Sequence, residues 1–380
     1  MPVISLGGNV THGAGRVNEE FLELLGKDRE AFSRLSSDLK VWLYRASGAA
    51  IGRGVVMSPG SVISSPCVHI GDEVFIGKDV TIECDALVVG RLTHIGDGSI
   101  LKARRITLGE NVFLYRDVEI GGGGGRDAEA EIEISSHCHI GQGVHLNCCR
   151  KITIGEESTI TMGAAVMTHA FANSVLEGYP AVFAPVEIGR NVQIGIRSVI
   201  FPGVRIGDGA VVGNHSSVIG DIPPGCYAAG VPARKVGNAR RDLAPERRRA
   251  IALEMVHEFI RQLSLNQIAT EDCPDPSFAL AAARITHRSG SGLLVFLEQA
   301  SQEDVDRICS TAGQTPQEIV CVCLKWAGER RSQTRATIID LLDKWIEGPG
   351  GPITETLREF LRKRGIRLEP RTWTYRGGIL

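Results

Sequence analysis

Val186-Glu187-Ile188-Gly189-Arg190-Asn191-Val192-Gln193-Ile194-Gly195 opens a run in which an aliphatic residue returns every six positions, at Ile188, Ile194, Ile200, Ile206, Val212 and Val218. Glycine follows four of these, at Gly189, Gly195, Gly207 and Gly213. A period of six is neither the 3.6 of a helix nor the alternation of a strand, so it marks a short strand plus a corner, repeated. Three such units close one coil. Each aliphatic side chain then points inward at one level, and the small residue after it sits at a corner where a side chain would collide. The fold expected is a parallel β-helix.

The same phase extends towards the N-terminus through Ile70, Ile76 and Ile82, then Leu108, Leu114 and Ile120, then Ile134, Ile140 and Leu146, then Ile154, Ile160 and Val166. Stacked at about 4.8 Å, roughly eight coils make a prism on the order of 40 Å long. The phase breaks twice. Residues 121–133 start with five consecutive glycines followed by Arg126, Asp127 and Glu129, a composition that buries no apolar face and reads as a mobile excursion. Residues 167–187 carry His169, Phe171, Asn173, Tyr179, Pro180 and Phe183. Loops inserted into a rigid scaffold in this way carry function.

Helical spacing precedes the repeat, at Phe21, Leu24 and Leu25 and again at Leu35, Leu39, Trp42 and Leu43, and predicts one or two amphipathic helices. After it, Ile251, Met255, Val256, Phe259, Ile260 and Leu263 predict a helix over 243–263 with a basic outer face. Strand-like stretches follow at 293–297, 319–326 and 337–346, then a helix from about Thr354 to Arg364 stopped by Gly365. The expected class is therefore mainly β, a parallel β-helix with N-terminal helices and a C-terminal helical or small α/β domain. The expected boundaries are 1–48, 49–237 and 238–380.

The 380 residues include 45 glycines, about 12 per cent against a usual 7 per cent, which fits a backbone with many tight corners. Lysine and arginine total 42 against 44 acidic residues, a formal charge of −2, so no global field draws the chain to nucleic acid or an anionic membrane. No stretch reaches the roughly 18 to 20 apolar residues of a membrane span, and Met1 to Thr11 lacks the charged start and apolar run of a signal peptide. A cytoplasmic protein is expected. The ten cysteines, among them the adjacent Cys148 and Cys149 and the near neighbours Cys321 and Cys323, lack zinc-module spacing and read as buried thiols.

From Ile51 to Val236 the chain resembles the hexapeptide-repeat acyltransferases, a left-handed β-helix family that includes galactoside and maltose O-acetyltransferases. The most specific stretch is the one quoted above, continuing through Phe201-Pro202-Gly203-Val204 to Asp221-Ile222-Pro223-Pro224-Gly225 and Ala229-Gly230-Val231-Pro232-Ala233-Arg234. The resemblance supplies the handedness, against the usual rule for parallel crossovers. It also implies a homotrimer with active sites between prisms, and acyl transfer, usually of acetyl from acetyl-coenzyme A, to a hydroxyl or amine of a sugar or glycan-type acceptor.

His169 falls where that family places its catalytic histidine. The chemistry agrees, because an alcohol attacking a thioester needs a positioned base, and a histidine is largely neutral near pH 7.5. Asn147 matches an asparagine of the acceptor pocket; the alternative is an asparagine at a coil corner, where left-handed backbone angles suit it. His145 reads as structural or as a support to the site. Along the last coils the resemblance runs the pantetheine arm past Gly195 and Gly213 and sets Arg234 and Lys235 by the adenosine phosphates. No metal is expected. Two positions depart from the family pattern, Gln193 where many relatives have tryptophan and Ile219-Gly220 where they often have Thr-Lys, and both bear on coenzyme contact.

Three other readings stay open. One is N-acylation of an amino sugar or small amine. Another is a zinc carbonic anhydrase-like site using His137, His139, His145 and His169, although the close H-x4-H pair of such enzymes is absent. The third is a non-catalytic scaffold. For the tail, the cations Arg358, Arg362, Lys363 and Arg364 suggest a hold on an anionic acceptor, against a simpler role as a solvated, packed helix face.

Overall fold

The computed structural model describes residues 15–171, 173–273, 279–288, 290–312, 316–327, 335–366 and 368–373. The signal-peptide reading of Met1 to Thr11 lies outside them. The chain divides into two compact units, Met1–Arg241 and Asp242–Leu380.

The first unit is the left-handed β-helix, whose coil strands form three sheets along its sides, parallel except where Gly15–Arg16 and Ala233–Asn238 add antiparallel strands. One sheet runs in register from Val62–Ser64 to Ser217–Val218 through eight strands, one per coil, as the count of repeats required. The six aliphatic residues from Ile188 to Val218 are all buried, none more than 3 per cent exposed, in a core shared with Ile70, Leu108, Ile134 and Ile154. Where glycine follows the aliphatic residue, it is there because coils stack closely. A Cβ on Gly195 would lie 2.5 Å from the backbone nitrogen of Asn214 one coil on. Left-handed angles fall two residues later, on glycines such as Gly98 and Gly143 and also on other residue types, such as Asp79, Asn111 and Asn191, with φ of 55°, 52° and 53°. Short polar side chains tolerate that region best. The aspartates one residue before two left-handed positions, Glu73 and Gly209, tie coils together: Asp72 Oδ1 accepts from Arg53 N at 2.7 Å and Asp208 Oδ1 from Arg190 N at 2.9 Å. These backbone N–H groups hold both carboxyls below their ordinary range.

Three helices rather than one or two precede the coils: α1 (Glu19–Lys27), α2 (Arg29–Ser33) and α3 (Ser37–Ala46). The break at Asp28, with φ −118° and ψ 34°, ends α1 and turns the chain so that Phe32 can join Phe21 and Tyr44 in an edge-to-face cluster. These helices close the open end of the prism. The Tyr44 hydroxyl donates to Ile63 O at 2.7 Å and receives Ile63 N at 2.8 Å, so both groups on the first strand of that sheet are paired by one phenol. Burial pushes that phenol well above its ordinary value. Lys40 Nζ similarly donates to Ser58 O and Ser61 O, at 2.9 and 3.0 Å. Solenoids need such caps, since a bare edge strand invites pairing with another chain. Tyr44→Phe is expected to cost about 2 to 3 kcal/mol, because it orphans a buried donor and a buried acceptor together. Urea melts of both proteins at equal concentration measure this; a loss below about 0.5 kcal/mol means that water replaces the phenol.

In the second unit a mixed sheet follows chain order: Ala269–Asp272, Ala281–His287, Gly290–Ala300, Glu318–Trp326, Thr337–Asp340, Trp345–Gly348 and Glu369–Trp373. Helix α4 (Pro245–Leu265) and helix α6 (Pro352–Arg362) share one apolar cluster, through Phe259 and Phe360, and α5 (Gln302–Ala312) lines another through Val305 and Ile308. The stretch expected as one strand at 337–346 is two strands, because residues 341–344 turn, with Lys344 at φ 52°. The Asp340 carboxylate fixes that turn by accepting from Leu342 N and Asp343 N, at 2.9 and 2.7 Å.

Candidate active site

Strand His145–Asn147 lies in the eight-stranded sheet, paired in register with Ala165–Met167, which places Asn147 opposite Met167. Thr168 then turns its side chain inward, fully buried, and donates from Oγ1 to Asn147 O at 2.7 Å. His169 leaves the coil at this point. Residues 169 and 170 pair antiparallel with 182 and 183, so the long insertion is a hairpin-like loop with His169 at its root, opposite Phe183.

The partly exposed imidazole stacks 6.0 Å from the Phe183 ring and lies 5.3 Å from that of Phe171. Arg150 sits 5.2 Å from the Phe183 centroid and pairs with Asp127 and Glu129 at 3.2 Å each. His169 Nδ1 is 3.4 Å from Cys149 Sγ. Asn147 is 5 per cent exposed, and its Oδ1 has no hydrogen-bond partner among the described residues. Its backbone is that of a strand, which removes the corner explanation. His145 Nδ1 faces Glu119 Oε2 at 3.1 Å.

The glycine run at 121–125 is more than a mobile excursion. Its backbone lies against the site: a Cβ at Gly122 would come 2.6 Å from Asn147 Nδ2, one at Gly123 3.7 Å from His169 Cε1, and one at Gly124 2.5 Å from Cys149 Cβ. Gly122 and Gly124 also have φ of 92° and 91°, so both the space and the backbone angles call for glycine. Sequence composition gave no partner for this run, because the contact depends on coil stacking. Cys149 and Thr168 were missed for the same reason. Gly122, Gly124 and Gly125 also line an open groove of about 960 Å³ with Glu83, Asp85, Lys102, Arg104 and Arg126; His169 is not in its wall.

Gly195 and Gly213 lie on later coils, and the backbone and side chains of the following coil account for their missing side chains; a Cβ on Gly213 would be 2.8 Å from that of Ala229. Arg234 and Lys235 are exposed on the strand Ala233–Asn238, which folds back on Cys226–Gly230. Neither has a carboxylate partner among the described residues, whereas Arg190 and Arg205 on preceding coils pair with Asp208 and Glu187. His137 sits at a corner beside Asn111, and His139 lies on the ten-stranded sheet stacked 5.9 Å from Phe113, so these two do not converge with His145 and His169. In the second unit Arg358 pairs with Glu355, Arg362 and Lys363 with Glu359, and Arg364 with Glu258. Each cation expected to hold an acceptor therefore has a local carboxylate.

Residues 185–218 match the family model described as the hexapeptide repeat of succinyl-transferase. The chain is 38 per cent identical over 111 residues to the galactoside O-acetyltransferase of Escherichia coli (strain K12), covering 27 per cent of this chain and 54 per cent of that protein. It is 41 per cent identical over 73 residues to a 2,3,4,5-tetrahydropyridine-2,6-dicarboxylate N-acetyltransferase of Staphylococcus aureus (strain JH9), covering 19 and 30 per cent. Among solved structures, a galactoside acetyltransferase in complex with coenzyme A is 31 per cent identical, with 30 per cent of this chain and 62 per cent of that one covered and a TM-score of 0.23. The chain thus spans about half the length, or less, of these curated relatives.

Proposed function

We propose that the first unit transfers an acyl group, in the first instance acetyl, from acyl-coenzyme A to a hydroxyl of a sugar or glycan-type acceptor, with His169 as general base. The observation that carries this reading is a partly exposed imidazole rooted at the mouth of the coil insertion, two residues past the in-register partner of a buried asparagine whose side-chain Oδ1 is unpartnered among the described residues. The acceptor hydroxyl would lose its proton to His169 as its oxygen adds to the thioester carbonyl. The tetrahedral intermediate then expels the coenzyme thiolate, which takes that proton back from the imidazolium. No covalent enzyme intermediate is needed. Asn147 Oδ1 would accept a hydrogen bond from the acceptor, which orients the attacking oxygen.

Arg234 and Lys235, exposed cations without carboxylate partners among the described residues, suit the phosphates at the adenosine end of the donor. Their alanine variants are expected to raise the KM for acetyl-coenzyme A by about 3- to 30-fold with kcat little changed. Initial rates against donor concentration measure this; an unchanged KM in the double variant removes both residues from the donor site.

The hairpin-like loop carries Phe171, Val175, Leu176, Tyr179, Val182 and Phe183, each at least 44 per cent exposed. That much exposed apolar surface next to the base fits a homotrimer in which a neighbouring prism covers the loop. Ten free thiols, most of them buried, fit a reducing cytoplasm. Nitrogen is an equally competent nucleophile for this base, and one relative above is an N-acetyltransferase. Thiol release from acetyl-coenzyme A with a panel of hydroxyl and amino sugars tests the whole reading, and mass analysis of the product separates O- from N-acylation. Absence of donor binding by calorimetry would support the scaffold reading instead.

A further inference from the structure

We infer that the open groove beside the glycine run holds the far end of an elongated saccharide acceptor that bears one oxyanion, a carboxylate or a phosphate, and that Arg126 pairs with that group. The inference rests on the reading of the imidazole site as an acyltransferase centre and adds a binding site beyond it. Groove and centre share a wall. Gly122 and Gly124 line the groove, yet a Cβ on the first would meet Asn147 Nδ2 at 2.6 Å and one on the second Cys149 Cβ at 2.5 Å. A Cβ on Gly123, between them, would stand 3.7 Å from His169 Cε1. Only a backbone ribbon without side chains separates the two, and Gly122 and Gly123 are exposed, so a ligand can lie across them. Lys102 ends the strand Ile100–Lys102, and His169 follows the strand Ala165–Met167, three strands on in the same sheet. At the usual strand spacing that is about 14 Å. A single sugar ring is too short to cover it.

Charge selects the ligand. Glu83 carries two cations, Arg29 at 2.8 Å and Lys102 at 3.1 Å, Asp85 has Arg104 at 2.9 Å, and Asp127 has Arg150 at 3.2 Å. Each carboxylate of the lining is thus matched. Arg126 also lines the groove, is exposed, and has no carboxylate partner among the described residues, which leaves the groove with surplus positive charge. Its backbone is held in place, because Asp127 N donates to Gly124 O at 2.8 Å and Ala130 N to Asp127 O at 3.0 Å. A guanidinium presented from a fixed turn suits a carboxylate or phosphate, whose oxygens can each take one of its N–H donors. The floor is small and apolar, built by Pro66 with Cys84 and Ala103, the last two 9 and 4 per cent exposed. Such a floor fits the C–H face of a sugar ring.

Calorimetry on the full-length protein tests this with three probes: maltotriose, and maltotriose whose terminal ring carries either a carboxylate in place of the primary alcohol or a phosphate on it. A charged probe is expected to bind about 10- to 100-fold tighter than the neutral one, by a margin that shrinks as salt is raised. A gain confined to one of the two charged probes identifies the oxyanion. Arg126→Ala abolishes the preference. Ser64→Trp, at an exposed position of the lining, fills the groove and weakens the charged probes as well. Equal affinity for charged and neutral probes, a preference that survives in Arg126→Ala, or full affinity in Ser64→Trp overturns the inference. The same titrations in His169→Ala keep the two readings apart. A charge preference retained there while transfer is lost supports both; the same preference with transfer at the wild-type rate keeps the groove as a saccharide site and removes His169 from the role of base.

Discussion

Replacing His169 with alanine is expected to lower turnover by roughly 100- to 10,000-fold, the usual range for a general base, while the fold and donor binding remain. The expectation follows from position. The imidazole is partly exposed at the root of the long loop and is not part of the apolar core of the prism, so its loss opens no large cavity. Its ring contacts are with Phe171 and Phe183, themselves largely exposed. Circular dichroism and calorimetry with acetyl-coenzyme A should therefore match the wild type. In terms of rate constants the loss should fall on kcat more than on the KM of either substrate, because proton removal matters only as the new bond forms. Turnover within about threefold of wild type would take His169 out of the chemistry, and Asn147 would lose its assigned role with it.

The second large effect concerns stability. Ile194→Ala is expected to cost about 2 to 5 kcal/mol, the usual range for emptying a well-packed aliphatic site. Ile194 is fully buried between Ile160 and Val212 in register on adjacent coils, and the stacked coils above and below hold those neighbours in place, so the site collapses poorly. The adjacent Gln193→Ala should stay within about 0.5 kcal/mol, since Gln193 points outward and is exposed. Denaturant midpoints at one fixed protein concentration make the comparison fair if subunits associate. Equal losses at the two positions would mean that the inward phase of the repeat has been misread.

That phase was legible because it is a local property repeated many times. Ile188, Ile194, Ile200, Ile206, Val212 and Val218 each face the interior for the same reason, and one coil predicts the next. His169 could be singled out because a break in a regular pattern is as visible as the pattern. The second unit was less legible. Helix α5, with its two fully buried residues Val305 and Ile308, was not anticipated, and the turn at 341–344 was hidden inside an apolar run. Such a run gives no period, so a hairpin and a single strand look alike until the Asp340 carboxylate is seen holding the turn.

The sequence alone determined the coil, its inward-facing residues and the two places where the chain leaves it, because six-residue spacing acts between neighbours along the chain. Tertiary structure alone decided what surrounds the imidazole. Gly123, Asn147, Cys149 and His169 lie up to 46 positions apart in sequence and meet because stacked coils bring residues about 20 positions apart, or more across an insertion, to within one strand spacing. Side-chain contacts made across that spacing leave no period in the sequence, so the glycine run read as an excursion and Cys149 as filler until the coils were stacked.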